Sequence, residues 1–171
     1  ACPNAHPLTL DEIEPRTFSF NAPYGACPAC DGIGSRLEVD PSLVIPDEDL
    51  TLGEGAVTPW NSHSEYFLRQ LSVLGQELGF DLNTPYKDLS EQVKEVILNG
   101  RDYKVTVKYR NRWGRERSYS TGFEGVLGYV KRKYDETESD WSRERYKGYM
   151  REVACPTCKG ARLRPEVLAV R

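Results

Sequence analysis

The sequence predicts an α+β fold in which helices pack on a short antiparallel sheet or hairpin. Small zinc-knuckle modules are expected where the chain enters and leaves this fold. Three observations lead to the prediction. Apolar residues recur with helical spacing in several segments, alternate with period two in one basic segment, and give way to closely spaced cysteines near both ends. The 171 residues are enough for one ordinary domain with a metal-bound annex.

The first knuckle lies in residues 26–34, which read Ala-Cys-Pro-Ala-Cys-Asp-Gly-Ile-Gly. Two cysteines two residues apart, followed by glycines that permit positive φ angles, are typical of a turn that binds zinc. Structural zinc takes four ligands, and the nearest second pair is a cysteine and a histidine close to the start of the chain. We therefore expect a zinc module over residues 1–35, with the ligands Cys2, His6, Cys27 and Cys30.

A second knuckle at residues 154–160 repeats the pattern Ala-Cys-Pro-x-Cys-x-Gly and contains Cys155 and Cys158. It is a half-site that either joins ligands outside this chain or pairs with the first knuckle. The second alternative is an all-cysteine site with Cys27 and Cys30, which leaves Cys2 and His6 unpaired. The ligand-type turn that contains Cys27 and Cys30 and the odd total of five cysteines argue against a disulfide framework. Cysteines with ligand spacing favour a reducing, cytoplasmic location.

Helical spacing is clear in the middle of the chain. A helix over residues 64–78 is indicated by an apolar face and a terminal glycine: Phe67, Leu71, Leu74, Leu78 and Gly79. A second helix is expected over residues 88–99, with Asp88 and Glu91 forming a capping box at its start.

Two later segments, residues 124–134 and 139–151, also show helical spacing, and residues 43–45 suggest a short strand. In the last helix we expect Trp141 and the tyrosines to be core residues rather than residues that stack on bases.

The period changes to two around Val105, Val107 and Tyr109, which alternate with basic and polar residues. With a turn at residues 111–114 and a return strand, this predicts a basic β-hairpin over residues 103–121. Between residues 101 and 133 the chain has ten basic and three acidic residues. The candidate DNA-binding residues are Lys104, Lys108, Arg110, Arg112, Trp113, Arg115, Arg117, Lys131, Arg132 and Lys133. The alternatives are a merely solvated basic face and a tryptophan packed under the hairpin.

Other features of the composition narrow the function. Residues 38–54 carry six acids and no base, so this stretch should be a solvated surface that faces away from nucleic acid. No apolar run approaches the roughly 20 residues of a membrane span, so no membrane partner is expected. The sequence contains no Gly-x4-Gly-Lys-Ser/Thr phosphate loop and no evident Ser/His/Asp set, and a closed four-ligand zinc has no open position for water. We therefore expect no enzymatic activity and no ATP site in this chain.

Several segments together resemble one family. They are the two cysteine knuckles, residues 14–21 (Glu-Pro-Arg-Thr-Phe-Ser-Phe-Asn), residues 123–127 (Phe-Glu-Gly-Val-Leu) and residues 136–139 (Glu-Thr-Glu-Ser). In this order and spacing they resemble the UvrA family of the bacterial ABC excinuclease over essentially the whole chain. Many members have a second cysteine soon after the position of Cys2, where this sequence has His6 instead. The first residue is Ala rather than Met, which favours a piece of a longer protein.

The resemblance implies a zinc module followed by an insertion domain, residues 36–152, and a segment that returns to an ATPase body, residues 153–171. It implies a DNA-clamping domain with structural zinc from the damage sensor of nucleotide excision repair. The implied partners are double-stranded or damaged DNA, the rest of UvrA with its homodimer partner, and UvrB through the parent protein. One alternative is a module that binds UvrB or the second UvrA copy without touching DNA. Another is a thiol chaperone like DnaJ, which is disfavoured because DnaJ has four tandem knuckles.

Overall fold

The structure is a computed structural model that describes residues 14–169, apart from the side chains of residues 62 and 103. Its strands are β1 (Ser35–Val39), β2 (Arg101–Arg110), β3 (Glu116–Phe123) and β4 (Met150–Ala154). Its helices are α1 (Pro41–Val44), α2 (Ser64–Leu78), α3 (Glu91–Asn99), α4 (Gly125–Glu136), α5 (Asp140–Lys147) and α6 (Pro165–Leu168). Short 3-10 turns occupy Pro15–Phe18, Thr58–His63 and Tyr86–Asp88. The predicted α+β fold, helices with small antiparallel sheets, is confirmed. None of the helices within residues 14–169 has the length and apolar character needed to cross a bilayer.

The chain divides into two compact units. One is formed by residues 39–151, and the other by the described parts of 1–38 and 152–171. We call them the insert unit and the knuckle unit. The chain leaves the knuckle unit through β1 and returns through β4, and these two strands pair with each other.

The insert unit is built around an apolar core to which each of its long elements contributes. The helix α2 buries Phe67, Leu71 and Leu74 on one face, as the helical spacing predicts. The remaining elements add Val93 and Ile97 from α3, Val105 and Val107 from β2, Phe123 from β3, and Val126, Tyr129 and Val130 from α4. This packing holds the base of the hairpin formed by β2 and β3 against helices.

The hairpin is antiparallel, and its register separates an apolar face from a polar one. Val105 lies opposite Thr121, and Val107 lies opposite Tyr119, on the face that turns toward the core. On the other face, Lys104 lies opposite Gly122 and Lys108 lies opposite Ser118. The register shifts between Arg101 and Lys104, where the ladder begins. The strands extend two residues beyond each end of the predicted hairpin, residues 103–121.

Local predictions from spacing had mixed outcomes. The helix over residues 64–78 is confirmed, and Gly79 ends it with φ 75°. The capping box at Asp88 is wrong: α3 begins at Glu91, and Ser90 is the cap whose hydroxyl accepts from the Val93 amide. Asp88 instead belongs to a 3-10 turn, which the extended backbone of Leu89 separates from the helix.

Two further segments differ from expectation. Residues 41–44 form a helical turn rather than a strand, because Pro41 stands at its first position and the Asp40 carboxylate accepts from the Ser42 amide. The helix expected over residues 139–151 ends at Lys147, since the following residues leave it to form β4 and pair with β1.

The expectation that Trp141 lies in the core is wrong, because its side chain is 72% exposed. The helix α5 is short and buries Tyr146. Residues five positions apart point about 140° away from each other around a helix, so the two side chains cannot share the buried face. Trp141 is a surface residue instead, with the Arg145 guanidinium 5.9 Å from its ring centroid.

Candidate metal centre and nucleic-acid interface

The first knuckle is a tight turn that aims two cysteines inward. The backbone amides of Cys30 and Gly32 both donate to the Cys27 carbonyl at 3.3 Å, and the Ile33 amide donates to the Cys30 carbonyl at 2.9 Å. Asp31 and Gly32 adopt positive φ angles of 50° and 77°. A Cβ at Gly32 would lie 2.1 Å from the Phe20 carbonyl oxygen, so this position requires glycine for both space and conformation.

The second knuckle repeats the first in conformation. Lys159 and Gly160 have φ angles of 52° and 89°, close to those of Asp31 and Gly32. Backbone hydrogen bonds cross between the knuckles with matching partners: the Cys27 amide donates to the Arg162 carbonyl, and the Cys155 amide donates to the Gly34 carbonyl, each at 2.9 Å. The repeated sequence pattern therefore corresponds to two similar turns that face each other.

Arg162 takes the position in the second knuckle that Gly34 takes in the first, and it has φ 69° although it is not glycine. Its side chain explains its presence. The Arg162 Nε donates to the Gly32 carbonyl at 2.7 Å, and the guanidinium lies 3.9 Å from the centroid of the Phe20 ring. Sequence analysis assigned no site role to Arg162 or Phe20. Aligning the two knuckles would have marked the arginine at a glycine position.

The two knuckles bring four thiols together. The Sγ atoms of Cys27, Cys30, Cys155 and Cys158 all lie within 4.8 Å of one another, and all four residues are buried. Cys30 Sγ and Cys158 Sγ are 3.7 Å apart, which is much longer than the S–S bond of a disulfide, about 2.05 Å. Four sulfurs bound to zinc at about 2.3 Å would be about 3.8 Å apart, so the set fits a tetrahedral ion.

This geometry favours the all-cysteine alternative over the ligand set that sequence analysis put first. Cys155 and Cys158 stand beside Cys27 and Cys30, and four thiolates already complete a tetrahedral site. Cys2 and His6 lie outside the described residues. The pairing of β1 with β4 brings residues that are more than a hundred positions apart close together. Closeness in sequence is therefore a poor guide to which residues bind the same ion.

The thiols differ in their readiness to ionise. Burial raises the pKa of Cys30 to about 11, although the Gly34 amide donates to its sulfur at 3.2 Å and opposes the shift. The backbone amides of Cys158 and Thr157 lower the pKa of Cys155 to about 6 against the effect of burial. Cys155 therefore ionises more readily than Cys30, and the thiolate is the form that binds a metal.

The polar face of the hairpin presents basic side chains among small ones. Lys104, Lys108 and Arg110 lie along β2, and their partners on β3 include Gly122 and Ser118. Between the two lysines, the hydroxyls of Thr106 and Ser120 are 2.8 Å apart. The neighbouring side chains are short. An extended ligand with a charged backbone could therefore reach each cation.

Charge pairing on the hairpin is sparse. Arg110 lies 3.6 Å from Glu116, and both side chains are exposed. Arg101, at the base of the hairpin, lies 3.4 Å from Glu77. Within the described residues, no ion pair involves Lys104, Lys108, Arg112, Arg115 or Arg117. Arg117 lies opposite Tyr109, so it belongs to the face away from the two lysines.

The hairpin tip is an ordered turn with an exposed aromatic ring. The Asn111 side-chain oxygen accepts from the amides of Trp113 and Arg115, each at 3.0 Å. Trp113 is 70% exposed, and the Arg112 guanidinium lies 4.2 Å from its ring centroid. The alternative of a tryptophan packed under the hairpin therefore does not match the structure.

The run Lys131-Arg132-Lys133 is less available than its composition indicates. Lys131 contacts Asp135 at 2.6 Å, and Arg132 contacts Glu124 and Glu136 at 2.7 and 3.0 Å. These carboxylates raise the pKa of Arg132 and are its ion-pair partners. Lys133 has no ion pair in the described part of the chain and lies 5.9 Å from the Tyr129 ring centroid.

Comparison with known proteins is consistent across sequence and structure. The family UvrA DNA-binding domain matches residues 40–148. The UvrABC system protein A of Micrococcus luteus is 61% identical over 99% of this chain, and that of Mycobacterium tuberculosis is 57% identical over 99%. The chain spans only 17% and 18% of the length of these two curated relatives. The crystal structure of UvrA2 from Deinococcus radiodurans is similar to this chain with a TM-score of 0.72 and 31% sequence identity. The similarity covers 94% of this chain and 21% of the UvrA2 chain.

Proposed function

This chain belongs to the family of UvrA DNA-binding domains, and on that premise we propose that it clamps DNA for the damage sensor of nucleotide excision repair. The observation that carries the proposal is the exposed basic face of the hairpin, which lies inside the region matched by the family, residues 40–148. The chain corresponds to the DNA-binding domain and not to the ATPase portion of that family. In the parent protein its partners would be UvrB, the rest of UvrA and a second copy of UvrA, in the cytoplasm.

Contact with the phosphate backbone is the interaction that this face supports. Lys104 and Lys108 stand on one side of the ribbon without carboxylate partners among the described residues. Cations that are not already paired can neutralise phosphates and release counterions, so binding should weaken steeply as salt increases. Within residues 14–169, no set of side chains arranged to read base edges is evident. The hairpin would therefore position DNA, while shape and deformability supply any preference for damaged sites.

The exposed tip adds an aromatic group to this interface. A tryptophan at the end of a rigid turn can stack on an unpaired base or press against a distorted step. Asn111 fixes the backbone of the turn, so the Trp113 ring would meet DNA with little loss of backbone freedom. The arginines on either side of Trp113 would contact flanking phosphates.

We propose zinc as the ion of the four-cysteine cluster. Four sulfur ligands in a closed set favour zinc among common ions and leave no position for a reactive water. The bound ion would lock the two knuckles together. Its role would be structural, and the ligands would be Cys27, Cys30, Cys155 and Cys158.

The test is a salt titration of duplex binding by the full chain and by a charge-reversed hairpin. Lys104, Arg110, Arg112 and Arg115 are changed to Glu in one variant. The matched control changes four exposed cations that lie off the hairpin, Arg36, Lys87, Arg143 and Lys159. The hairpin variant should lose most of its affinity and its salt dependence, whereas the control should lose much less. Equal affinity of the hairpin variant and the original chain would refute the proposal.

A second candidate function is protein recognition by the acidic stretch. Asp47, Glu48, Asp49 and Glu54 are exposed, and this charge would repel DNA. Here the insert unit would bind UvrB or the second UvrA copy without direct DNA contact. A pull-down of UvrB with and without DNA separates this function from DNA clamping. A complex that forms without DNA, and is lost when the charges of residues 47–49 are neutralised by substitution, supports protein recognition.

A further inference from the structure

The end of the hairpin, residues 109–117, extends beyond the core of the insert unit, and we call this segment the distal hairpin. At the base of the ribbon Val105 and Val107 are buried, whereas every residue from 112 to 118 is exposed. Among the described residues, no atom outside the chain neighbours of Gly114 lies within 4 Å of the position that a Cβ would take there. The tip of the distal hairpin is therefore open to solvent.

Positive charge is present on both faces of this segment. Lys108 and Arg110 lie on the polar face, because residues two apart in a strand point to the same side. Arg117 lies opposite Tyr109 and so belongs to the other face. Two more arginines, at positions 112 and 115, flank the turn.

The distal hairpin has one carboxylate to set against these cations. It is Glu116, which lies 3.6 Å from Arg110, with both side chains more than 75% exposed. An exposed pair of this kind is weak, so a phosphate can replace the carboxylate at little cost. Arg117 has no ion pair in the described part of the chain.

A ribbon with cations on both faces fits a ligand that has negative charge on two sides. A single phosphate backbone lying along the polar face would contact Lys108 and Arg110 but would leave Arg117 pointing away from it. Each groove of duplex DNA is bordered by two phosphate backbones, one from each strand. A groove would therefore engage both faces of the ribbon at once.

The dimensions favour the major groove. Stacked sheets lie about 10 Å apart, so one layer with its side chains is about 10 Å thick. The major groove is about 12 Å wide and 8.5 Å deep and admits a two-stranded ribbon, whereas the minor groove is about 6 Å wide. Two residues of strand separate Tyr109 from Asn111, which is about 7 Å, and the turn adds to this reach.

We infer that the distal hairpin enters the major groove of double-stranded DNA, with Lys108 and Arg110 facing one phosphate backbone and Arg117 facing the other. This inference rests on the proposed function, because it assumes that the hairpin binds DNA. Trp113 would meet the floor of the groove, where the base edges are exposed. A distortion that widens the groove would admit the ribbon more easily, so damaged sites would be favoured through DNA shape.

The first test is methylation of a short duplex by dimethyl sulfate, with and without a saturating amount of the full chain. This reagent methylates N7 of guanine, which lies in the major groove, and N3 of adenine, which lies in the minor groove. The chain should lower methylation at guanine N7 and leave methylation at adenine N3 unchanged. The two atoms are read in one sample, so consumption of the reagent by the protein would lower both and is recognised.

The second test asks whether both faces contact phosphates. Loss of one phosphate contact lowers the slope of log K against log salt by about 0.9, so Lys108→Gln and Arg117→Gln should each lower it by that amount. The matched control is Lys147→Gln, which removes an exposed lysine of α5 and should leave the slope unchanged. Arg117→Lys keeps the charge and should keep the slope. Thermal unfolding checks that each variant is folded, and the methylation test stands if Arg117→Gln is not.

The outcomes separate this inference from the function on which it rests. If the chain binds the duplex but protects adenine N3 rather than guanine N7, or protects neither, the hairpin function stands and the inference fails. An unchanged slope in folded Arg117→Gln also overturns the inference, because the ribbon would then use one face. If the duplex does not bind at all, the proposed function fails and the inference fails with it.

Discussion

Removal of the proposed zinc ion should unfold the knuckle unit and leave the insert unit folded. The reason is the small number of buried apolar side chains in the knuckle unit. In residues 14–38 and 152–169, the buried hydrophobic side chains are the four cysteines of the cluster and Val167. The insert unit, in contrast, buries side chains from α2, α3, α4 and the hairpin.

The magnitudes decide which interaction holds the knuckle unit together. Full burial of a valine contributes about 1.5–3 kcal/mol. Fixing the backbone of a single residue costs about 1–2 kcal/mol, so Val167 cannot offset the ordering of more than a few residues. Structural zinc in small domains contributes an apparent free energy of about 10–16 kcal/mol near neutral pH. The bound ion is therefore expected to be the dominant stabilising interaction of this unit.

Hydrogen exchange with and without a strong chelator measures the effect by segment. Amides around the two knuckles should lose protection in chelator, whereas those of α2 and β2 should keep it. Zinc content is measured alongside on Cys158→Ser, with Cys2→Ser and His6→Asn as matched controls. The serine variant at position 158 should lose the ion, and both controls should retain one ion per chain.

Two results would contradict this reasoning. Loss of zinc from Cys2→Ser or His6→Asn would restore the ligand set that combines those residues with Cys27 and Cys30. Full protection of the knuckle amides in chelator would mean that hydrogen bonding between the turns is sufficient without a metal.

Three further predictions concern the stability of each unit. Gly32→Ala should destabilise the knuckle unit by more than about 1 kcal/mol, because φ is 77° and the new Cβ would lie 2.1 Å from the Phe20 carbonyl oxygen; hydrogen exchange of the knuckle amides measures it. Ile97→Ala, at a side chain that is 1% exposed, should destabilise the insert unit by about 2–5 kcal/mol in urea unfolding. The Ser42 hydroxyl and amide lower the pKa of Asp40 below its usual 3.8, so the charged form stabilises the fold above that pH. The stability difference between the original chain and Asp40→Asn should therefore be constant near neutral pH and shrink as pH falls below about 4.

Elements whose signals are local could be predicted from the amino-acid sequence. The apolar face of Phe67, Leu71 and Leu74, followed by a glycine that accepts a positive φ, defined α2 with its observed bounds. Period-two alternation defined the hairpin and its basic face, because neighbouring residues of a strand point to opposite sides of the sheet. The repeated knuckle pattern was also visible, since each turn depends on its own cysteines and glycines.

Contacts between groups that are distant in sequence could not be predicted in this way. Cys30 and Cys158 are 128 positions apart, and the sequence left two sets of partners open because spacing along the chain says nothing about an encounter that depends on the pairing of β1 with β4. The same holds for Arg132, whose carboxylate partners include Glu124, eight residues away at the start of its helix. Periodicity records which side of an element is apolar, whereas the contents of a site depend on how several elements pack.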